Sequence, residues 1–592
     1  MGKIKIILLI SSLVFLTFGN CLNNNLIGDD KAIFVEGAFY KHPSNIPRLL
    51  SPAFVMKPGP TPQKIVVETS FSGFVSYRPV VALTFFLDEG LWHGQAFGYH
   101  LDNLLLHLFA CILIYFFLLR ITAAPHLALL AVLLFSVHPI QSEVVNAIGY
   151  RADILVTIFY LLSFLSYIKT TSTTAPANIK WLALSALSFF AALLSKESAL
   201  TFPAMIFLYD RLIRPRNSVT ASQSPSIKSY WPYLILSVIY LVIYFILMPN
   251  AYYLKFPHQS FSLFQQAAIN LKILFTYLLV LIWPLKISIL PPLYAPSSAS
   301  VTAIEIIFPL VCLILSFAIA LRRRVQNPLI TFAILWFWLN YLPVANIVPL
   351  LNPYAFRFMY LPSIGFFILA SLLIKDIIDR LTRKFAGPNS SLNLEFILKA
   401  GIIGLYLAAT IPNNEFFKND IVACREMLCN YPDSSRPYWN LAINYLDRKE
   451  YPKAIENFQR YLASNPRNPF LPDVKNDFLA YHMLGQCYPD DPKKAVELFE
   501  TSIRLNPDFV ISYTDAAKAY ILLSDYEKSL DRARQAIRIN NDVICGYYYA
   551  IHSYVMLNKI PEAQELWREA IRVHGKDSNL DYLAALIESK KK

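Results

Sequence analysis

Charge is scarce in this chain. Lys, Arg, Asp and Glu make up 16% of its 592 residues, where soluble domains carry about a quarter. Hydrophobic residues reach 55% and aromatics 14%, a balance that excludes an ordinary water-soluble protein and belongs to the membrane class. Cysteine patterning is missing too. Cys21, Cys111, Cys312, Cys424, Cys429, Cys487 and Cys545 show no C-x-x-C or Cys/His ligand spacing, so neither a zinc site nor a disulfide framework is indicated. The net charge is +13, yet no basic stripe with interleaved aromatics stands apart from the apolar runs. Nucleic acid is therefore not an expected partner.

What basic residues there are sit beside apolar segments: Arg211, Arg214 and Arg216; Arg322, Arg323 and Arg324; Lys375, Arg380, Arg383 and Lys384. Such clusters mark cytoplasmic loops. Lys3 and Lys5 precede an apolar stretch from Ile6 to Gly19 that suits a signal peptide or a short first membrane helix, and an uncleaved helix is the expectation. Further apolar runs predict spans near 101–120, 127–137, 154–168, 181–194, 198–209, 231–248, 271–285, 304–321, 329–345, 358–374 and 396–411. Several fall short of the ~20 residues a straight span needs. Three lie between the basic loops after Asp210 and Leu321, where matching sides demand an even number. One of the three is thus re-entrant, interfacial or misread.

The expected organisation is a membrane domain over 1–411, with a proline-containing first outer loop at 21–97, a connecting helix over 412–435, and a charged tail over 436–592. The tail is repetitive. Tyr513, Tyr520 and Ala536 recur as Tyr547, Tyr554 and Ala570, a period of 34 residues, which is that of the TPR helix pair. Earlier copies read Tyr438, Leu441, Ala442, Tyr445, Ala454, Phe458, Pro466 and then Tyr481, Leu484, Gly485, Tyr488, Ala495, Phe499, Pro507. Small residues let paired helices approach, and aromatics fill the space between them. The fold class expected is all-α: a polytopic helical membrane domain followed by an α-solenoid. Counted from the basic loops, the last span carries the tail to the side of the first outer loop. That side is the periplasm if the membrane is a bacterial inner membrane, and the lumen if it is the endoplasmic reticulum of a eukaryote.

Candidate chemistry clusters at the ends of the apolar runs. Asp29 and Asp30 follow the first span, where repulsion between adjacent carboxylates can raise the pKa of one and make it a base. Ser76-Tyr77-Arg78-Pro79, Tyr99-His100-Leu101-Asp102-Asn103 and His138-Pro139 come next, then Glu143, Arg151 and Asp153, Lys196-Glu197, and Arg357-Phe358-Met359-Tyr360. Ionisable residues at membrane depth are expensive and mark functional sites by default. A structural alternative stands beside each, since Glu143, Arg151 and Asp153 can pair with one another. For His100, His107 and His138, helix-end hydrogen bonding outweighs metal ligation.

In this order the motifs resemble the transmembrane-and-TPR-containing protein O-mannosyltransferases and their bacterial relatives, within the GT-C glycosyltransferase class. The resemblance runs from the Asp pair through S-Y-R-P, Y-H-L-x-N-L-L-L-H, H-P-I-x-x-E, R-A-D, K-E and R-x-x-Y-L-P-S-x-G to the repeats. It implies inverting transfer of a sugar from a polyprenyl-phosphate carrier to a hydroxyl, with protein serine or threonine as acceptor. Carried over, Asp29 is the base and Asp30 its support. Arg357, Lys196, Arg151 and Arg78 are the cations available to the lipid phosphate, Arg357 first. Glu143, Asp153, His100, Asn103, Glu197 and Tyr360 complete the substrate site. No cofactor is implied; a divalent metal stays open, and no ligand spacing indicates one. Phe356 departs from the pattern, standing where relatives often place an acid before the arginine. The repeats would present a protein or peptide acceptor, and membrane lipid would surround the spans. A membrane-anchored TPR scaffold for envelope proteins is the non-enzymatic rival, but it has no need of the Asp pair or of buried cations. A transporter would show paired broken helices in matching halves, and no such symmetry is present.

Overall fold

A computed structural model describes residues 2–50 and 77–590, apart from 32, 35–38, 171–176, 215–226, 248–261, 285–301, 349, 351–352, 386–390, 431, 433, 465–476 and 576–577. The side chain of Asp29, and Ser76, Arg216 and Pro466, lie outside the described residues. Where apolar sequence meets lipid, every backbone N–H must be satisfied within its own segment, which leaves the helix as the local solution. Among the described residues the chain is α-helix joined by short 3₁₀ turns. Chain contacts divide it into two units, one reaching Glu426 and the other starting at Met427.

The first unit is a multi-pass membrane bundle. Helices within Lys3–Asn23, Ala96–Thr122, Ile148–Thr170, Leu263–Ile282, Ala303–Arg323 and Leu394–Glu415 are long and apolar enough to cross a bilayer. Pro125–Val137 and Pro139–Asn146 form a pair bent by 54°. The bend has a cause: Pro139 has no N–H and pushes the residue before it out of helical geometry, and His138 is extended, at φ −72° and ψ 134°. Among the three runs between the basic loops, Leu263–Ile282 and Ala303–Arg323 are long and apolar enough to cross, and the described part of the third is the apolar helix Trp231–Ile246. The expected spans at 198–209 and 358–374 became Phe202–Leu212 and Ser363–Phe385. Over the described residues neither is long and apolar enough to cross. The first has 11 residues; the second carries Lys375, Asp376, Asp379 and Arg380 in its last half.

The first helix, Lys3–Phe18, is part of the bundle core. Ile6, Ile10, Val14 and Phe18 are buried, and the Phe18 ring meets His107 edge-on at 5.3 Å. A buried chain of amides then locks its end. Asn414 donates to the carbonyl of Thr17 at 2.8 Å and to Asn20 at 3.0 Å. Asn146 donates to Asn414 at 2.8 Å, and Asn24 to Asn146 at 3.1 Å. First helix, bent segment and last span are thereby one hydrogen-bonded group. Close packing also fixes Ser363–Phe385 against Pro328–Tyr341. A methyl group on Gly365 would collide with the carbonyl oxygen of Ala333 and stand 2.9 Å from the N of Phe337.

The second unit is a series of packed helix pairs. These are Ser435–Asp447 with Tyr451–Ala463, Asp477–Gln486 with Pro492–Leu505, Val510–Leu522 with Tyr526–Ile539, and Ile544–Met556 with Ile560–His574. Repeat chemistry shows in matching bonds. Tyr438 donates to the carbonyl of Pro432 at 3.1 Å and Tyr513 to that of Pro507 at 2.9 Å. Asp491 caps the N of Lys494 at 3.1 Å and Asp525 that of Lys528 at 3.2 Å. The turns repeat as well, with Lys449, Ser524 and Asn558 left-handed at φ 59°, 60° and 59°. At Gly485 a Cβ would come 2.5 Å from Phe499 Cε1, so the small residue is what lets that pair close. A further helix, Ser578–Ser589, buries Leu580, Leu583 and Ile587 against Tyr547 and Ile551. It covers an apolar face of the pair formed by Ile544–Met556 and Ile560–His574.

Candidate functional site

The segments that break helical geometry gather the charged residues. Arg357 lies in the turn Phe356–Met359. Its approach is held by Tyr277, whose hydroxyl donates to the carbonyl of Ala355 and accepts from its N–H, both at 2.9 Å. Glu143, on the short helix Ser142–Asn146 after the bend, clamps Arg357 twice. One carboxylate oxygen accepts from the backbone N of Arg357 at 2.9 Å and the other pairs with its guanidinium. The guanidinium lies over the Tyr150 ring at 3.8 Å, a cation–π contact that fixes its plane. Phe356, where an acid was expected by resemblance, packs instead in an apolar cluster with Ile140, Tyr277 and Tyr354. The counter-charge for Arg357 comes from Glu143.

Lys196 is the second cation. It stands between Ala177–Leu193 and the turn Glu197–Thr201, paired with Asp153 at 2.6 Å. Burial pushes its ammonium below the usual lysine range, against the opposing pull of Asp153. Lys196 Nζ and Arg357 Cζ both lie 5.1 Å from the ring of Phe358, so one aromatic face bridges the two. Arg78, at the entry to Pro79–Trp92, pairs with Glu197 at 3.1 Å. This pair is the most open of the three, with side-chain exposures of 23% and 46%. Six residues chosen from sequence thus form one linked set of three ion pairs.

Arg151 is different. It is 0% exposed and pairs with Asp88 at 2.6 Å. It also donates to Asn103 at 3.1 Å, Thr84 at 3.2 Å and the carbonyl of Tyr99 at 3.4 Å. Its donors are engaged by protein, which fits a structural post that joins Pro79–Trp92 to Ala96–Thr122. Asn103 works with it, donating at 2.9 Å to the carbonyls of both Val144 and Val145. Sequence reasoning missed Asp88. The signal was there: an acid, with Glu89 beside it, directly after the apolar run Val80–Leu87. Burial raises its carboxyl to about 6, with Asp102 adding to the rise and Arg151 opposing it. Tyr360 is fully buried, its hydroxyl 2.7 Å from His107 Nδ1. His100 is buried next to the backbone of Asn24 and Asn25. The Tyr360 side chain turns to His107, while its backbone N–H donates to the carbonyl of Arg357 at 3.1 Å.

Asp30 is 2% exposed, and its carboxylate accepts from the backbone N of Ile148 at 2.9 Å and of Gly149 at 2.5 Å. Those residues belong to the turn Ile148–Tyr150. The same three-residue turn is therefore gripped from one side by Asp30 and carries Arg357 on Tyr150. Asp29, immediately before, begins a one-turn helix there.

No family model matches the chain. Partial similarity to curated proteins is present. The chain is 35% identical over 162 residues, 23% of its length, to Protein O-mannosyl-transferase Tmtc3 of Drosophila melanogaster, covering 18% of that protein. It is 35% identical over 156 residues, again 23% of its length, to Protein O-mannosyl-transferase TMTC4 of Homo sapiens, covering 21% of it. For Protein O-mannosyl-transferase TMTC3 of Mus musculus the figures are 30% over 217 residues, 35% of this chain and 21% of the relative. The match spans about a fifth of the length of these relatives.

Proposed function

We propose that the chain is an inverting membrane glycosyltransferase of GT-C type. It moves a hexose, mannose by resemblance, from a polyprenyl-phosphate donor to a hydroxyl acceptor, a protein serine or threonine, on the non-cytoplasmic face. The observation that carries this reading is the turn Ile148–Tyr150, which joins the Asp29–Asp30 segment to Arg357. The partial similarity to O-mannosyl-transferases supports it.

The chemistry follows from the residue types. The acceptor oxygen attacks the anomeric carbon while Asp29 takes its proton. The bond from that carbon to the phosphate oxygen breaks, and the phosphate leaves with the electron pair. Attack opposite the leaving group inverts the centre. Developing charge on the phosphate needs fixed cations in a site of low dielectric. Arg357 and Lys196, held by Glu143 and Asp153, supply them, and Arg78, in the more open pair, is where the phosphate is first met. Asp30 positions the Asp29 segment through the backbone rather than sharing its proton. The helix pairs of the second unit bring the acceptor.

The test is donor use by purified protein. Polyprenyl-phosphate mannose should be consumed, and Arg357→Gln should raise the donor KM more than it lowers acceptor binding. Unchanged donor kinetics in Arg357→Gln, Lys196→Gln and Arg78→Gln together would remove the phosphate from this cluster.

A further inference from the structure

A second feature lies away from these ion pairs, at the end of the bundle that carries the basic loops. The C-terminal end of Phe202–Leu212, the C-terminal end of Ala303–Arg323 and the start of Pro328–Tyr341 enclose a cavity of about 220 Å³. Its wall is apolar, built from Leu208, Phe317 and Leu321 among others, and two arginines, Arg211 and Arg324, stand on it. Its floor is closed without an open polar group, because the Thr331 hydroxyl donates to the carbonyl of Ala320 at 2.8 Å. No carboxylate lines it among the described residues. The nearest acid on the same helix, Asp210, is engaged elsewhere: Tyr167 and Tyr230 donate to it at 2.5 and 2.8 Å, and Arg214 is 3.6 Å away.

An apolar slot with two arginines on its wall and no carboxylate among its described lining residues, at the basic end of the bundle, has the chemistry of an anionic lipid. Acyl carbon fills the slot, and the headgroup phosphate meets the arginines. A zwitterionic lipid would bring its own cation against two others, and a free phosphate would leave the apolar wall empty. We infer that this cavity binds one anionic phospholipid, between the Arg211 and Arg324 guanidinium groups and the Leu208–Phe317–Leu321 wall. The lipid ties Phe202–Leu212 to Ala303–Arg323 at the basic end of the bundle. This assignment is independent of the glycosyl-transfer reading.

The full-length protein, purified in mild detergent, is offered an equal mixture of phosphatidylglycerol and phosphatidylcholine, and bound lipid is counted by native mass spectrometry. One phosphatidylglycerol should be retained in preference, by roughly tenfold. The double variant Arg211→Gln/Arg324→Gln should lose that preference, and Arg322→Gln, on the same helix but off the cavity wall, should keep it. Leu208→Trp fills the slot with both arginines in place and should also lose the lipid, which separates a built site from general surface charge. Equal binding of the two lipids by the wild type, or a preference unchanged in both the double variant and Leu208→Trp, overturns the assignment. Complete displacement of phosphatidylglycerol by equimolar polyprenyl phosphate overturns the choice of occupant in favour of the carrier lipid.

Discussion

At the scale of single residues, charge pairing across the bundle did not follow nearness in sequence. Glu143, Arg151 and Asp153 are close enough in the chain to satisfy one another, yet each pairs elsewhere: Glu143 with Arg357, Arg151 with Asp88 and Asp153 with Lys196. Residues two apart on a helix do not face each other, and the bend after Val137 turns Glu143 toward a different neighbour. Asp30 gives the first prediction. Asparagine there keeps one acceptor oxygen for two backbone N–H groups, and an unsatisfied buried donor costs about 1–3 kcal/mol. Asp30→Asn should lower the thermal midpoint of unfolding while leaving the pH dependence of turnover in place. Asp88 gives the second. Its carboxyl titrates near 6 in the fold against an ordinary value of 3.8, so between those values the folded chain holds a proton that the unfolded chain has lost. Stability attributable to Asp88 therefore rises as pH falls through about 6 toward 4, by on the order of 3 kcal/mol in total. Melting curves of wild type and Asp88→Asn should converge in slope except in that window, where the wild type alone gains on acidification. A parallel response of the two proteins would show that Asp88 titrates normally.

At the scale of elements, the helices were legible where apolar runs were long and the period was clear. The first helix, Ala96–Thr122, Ala303–Arg323 and the repeat pairs all fall where hydropathy or the 34-residue register places them. Short runs were not separable by sequence, because a helix buried in the bundle and a membrane span both read as apolar. Phe202–Leu212, at 11 residues, is the case in point. What the site needed was legible as residue types and not as partners: Arg357, Lys196 and Glu143 stood out, while the aromatic faces of Tyr150 and Phe358 that join them carry no signal in a chain so rich in aromatics. Close approach is a third prediction. Gly365→Ala forces a methyl against the Ala333 carbonyl, and overpacking of this kind costs about 1–3 kcal/mol. The variant should melt earlier and lose donor turnover, since Ser363–Phe385 follows directly on the Arg357 turn. A wild-type melting profile would mean the two helices separate more easily than their packing implies.

At the scale of the whole molecule, the proposed function divides labour: the membrane bundle would act on the lipid-linked donor and the helix pairs would bring the acceptor. Removing Arg436–Lys592 should leave slow release of sugar from the donor to water and should reduce transfer to a protein acceptor by at least an order of magnitude. Full transfer by the truncated chain would take the repeats out of acceptor recruitment. The central claim, that a carboxylate on the Asp29–Asp30 segment drives glycosyl transfer, is tested most directly by single-turnover transfer. Purified wild type and Asp29→Asn are loaded with polyprenyl-phosphate mannose and mixed with a serine- and threonine-bearing acceptor. General-base removal typically costs ~10²–10⁴-fold. The account predicts a loss of about that size in the rate of transfer, with donor affinity unchanged. Transfer by Asp29→Asn at the wild-type rate would contradict it.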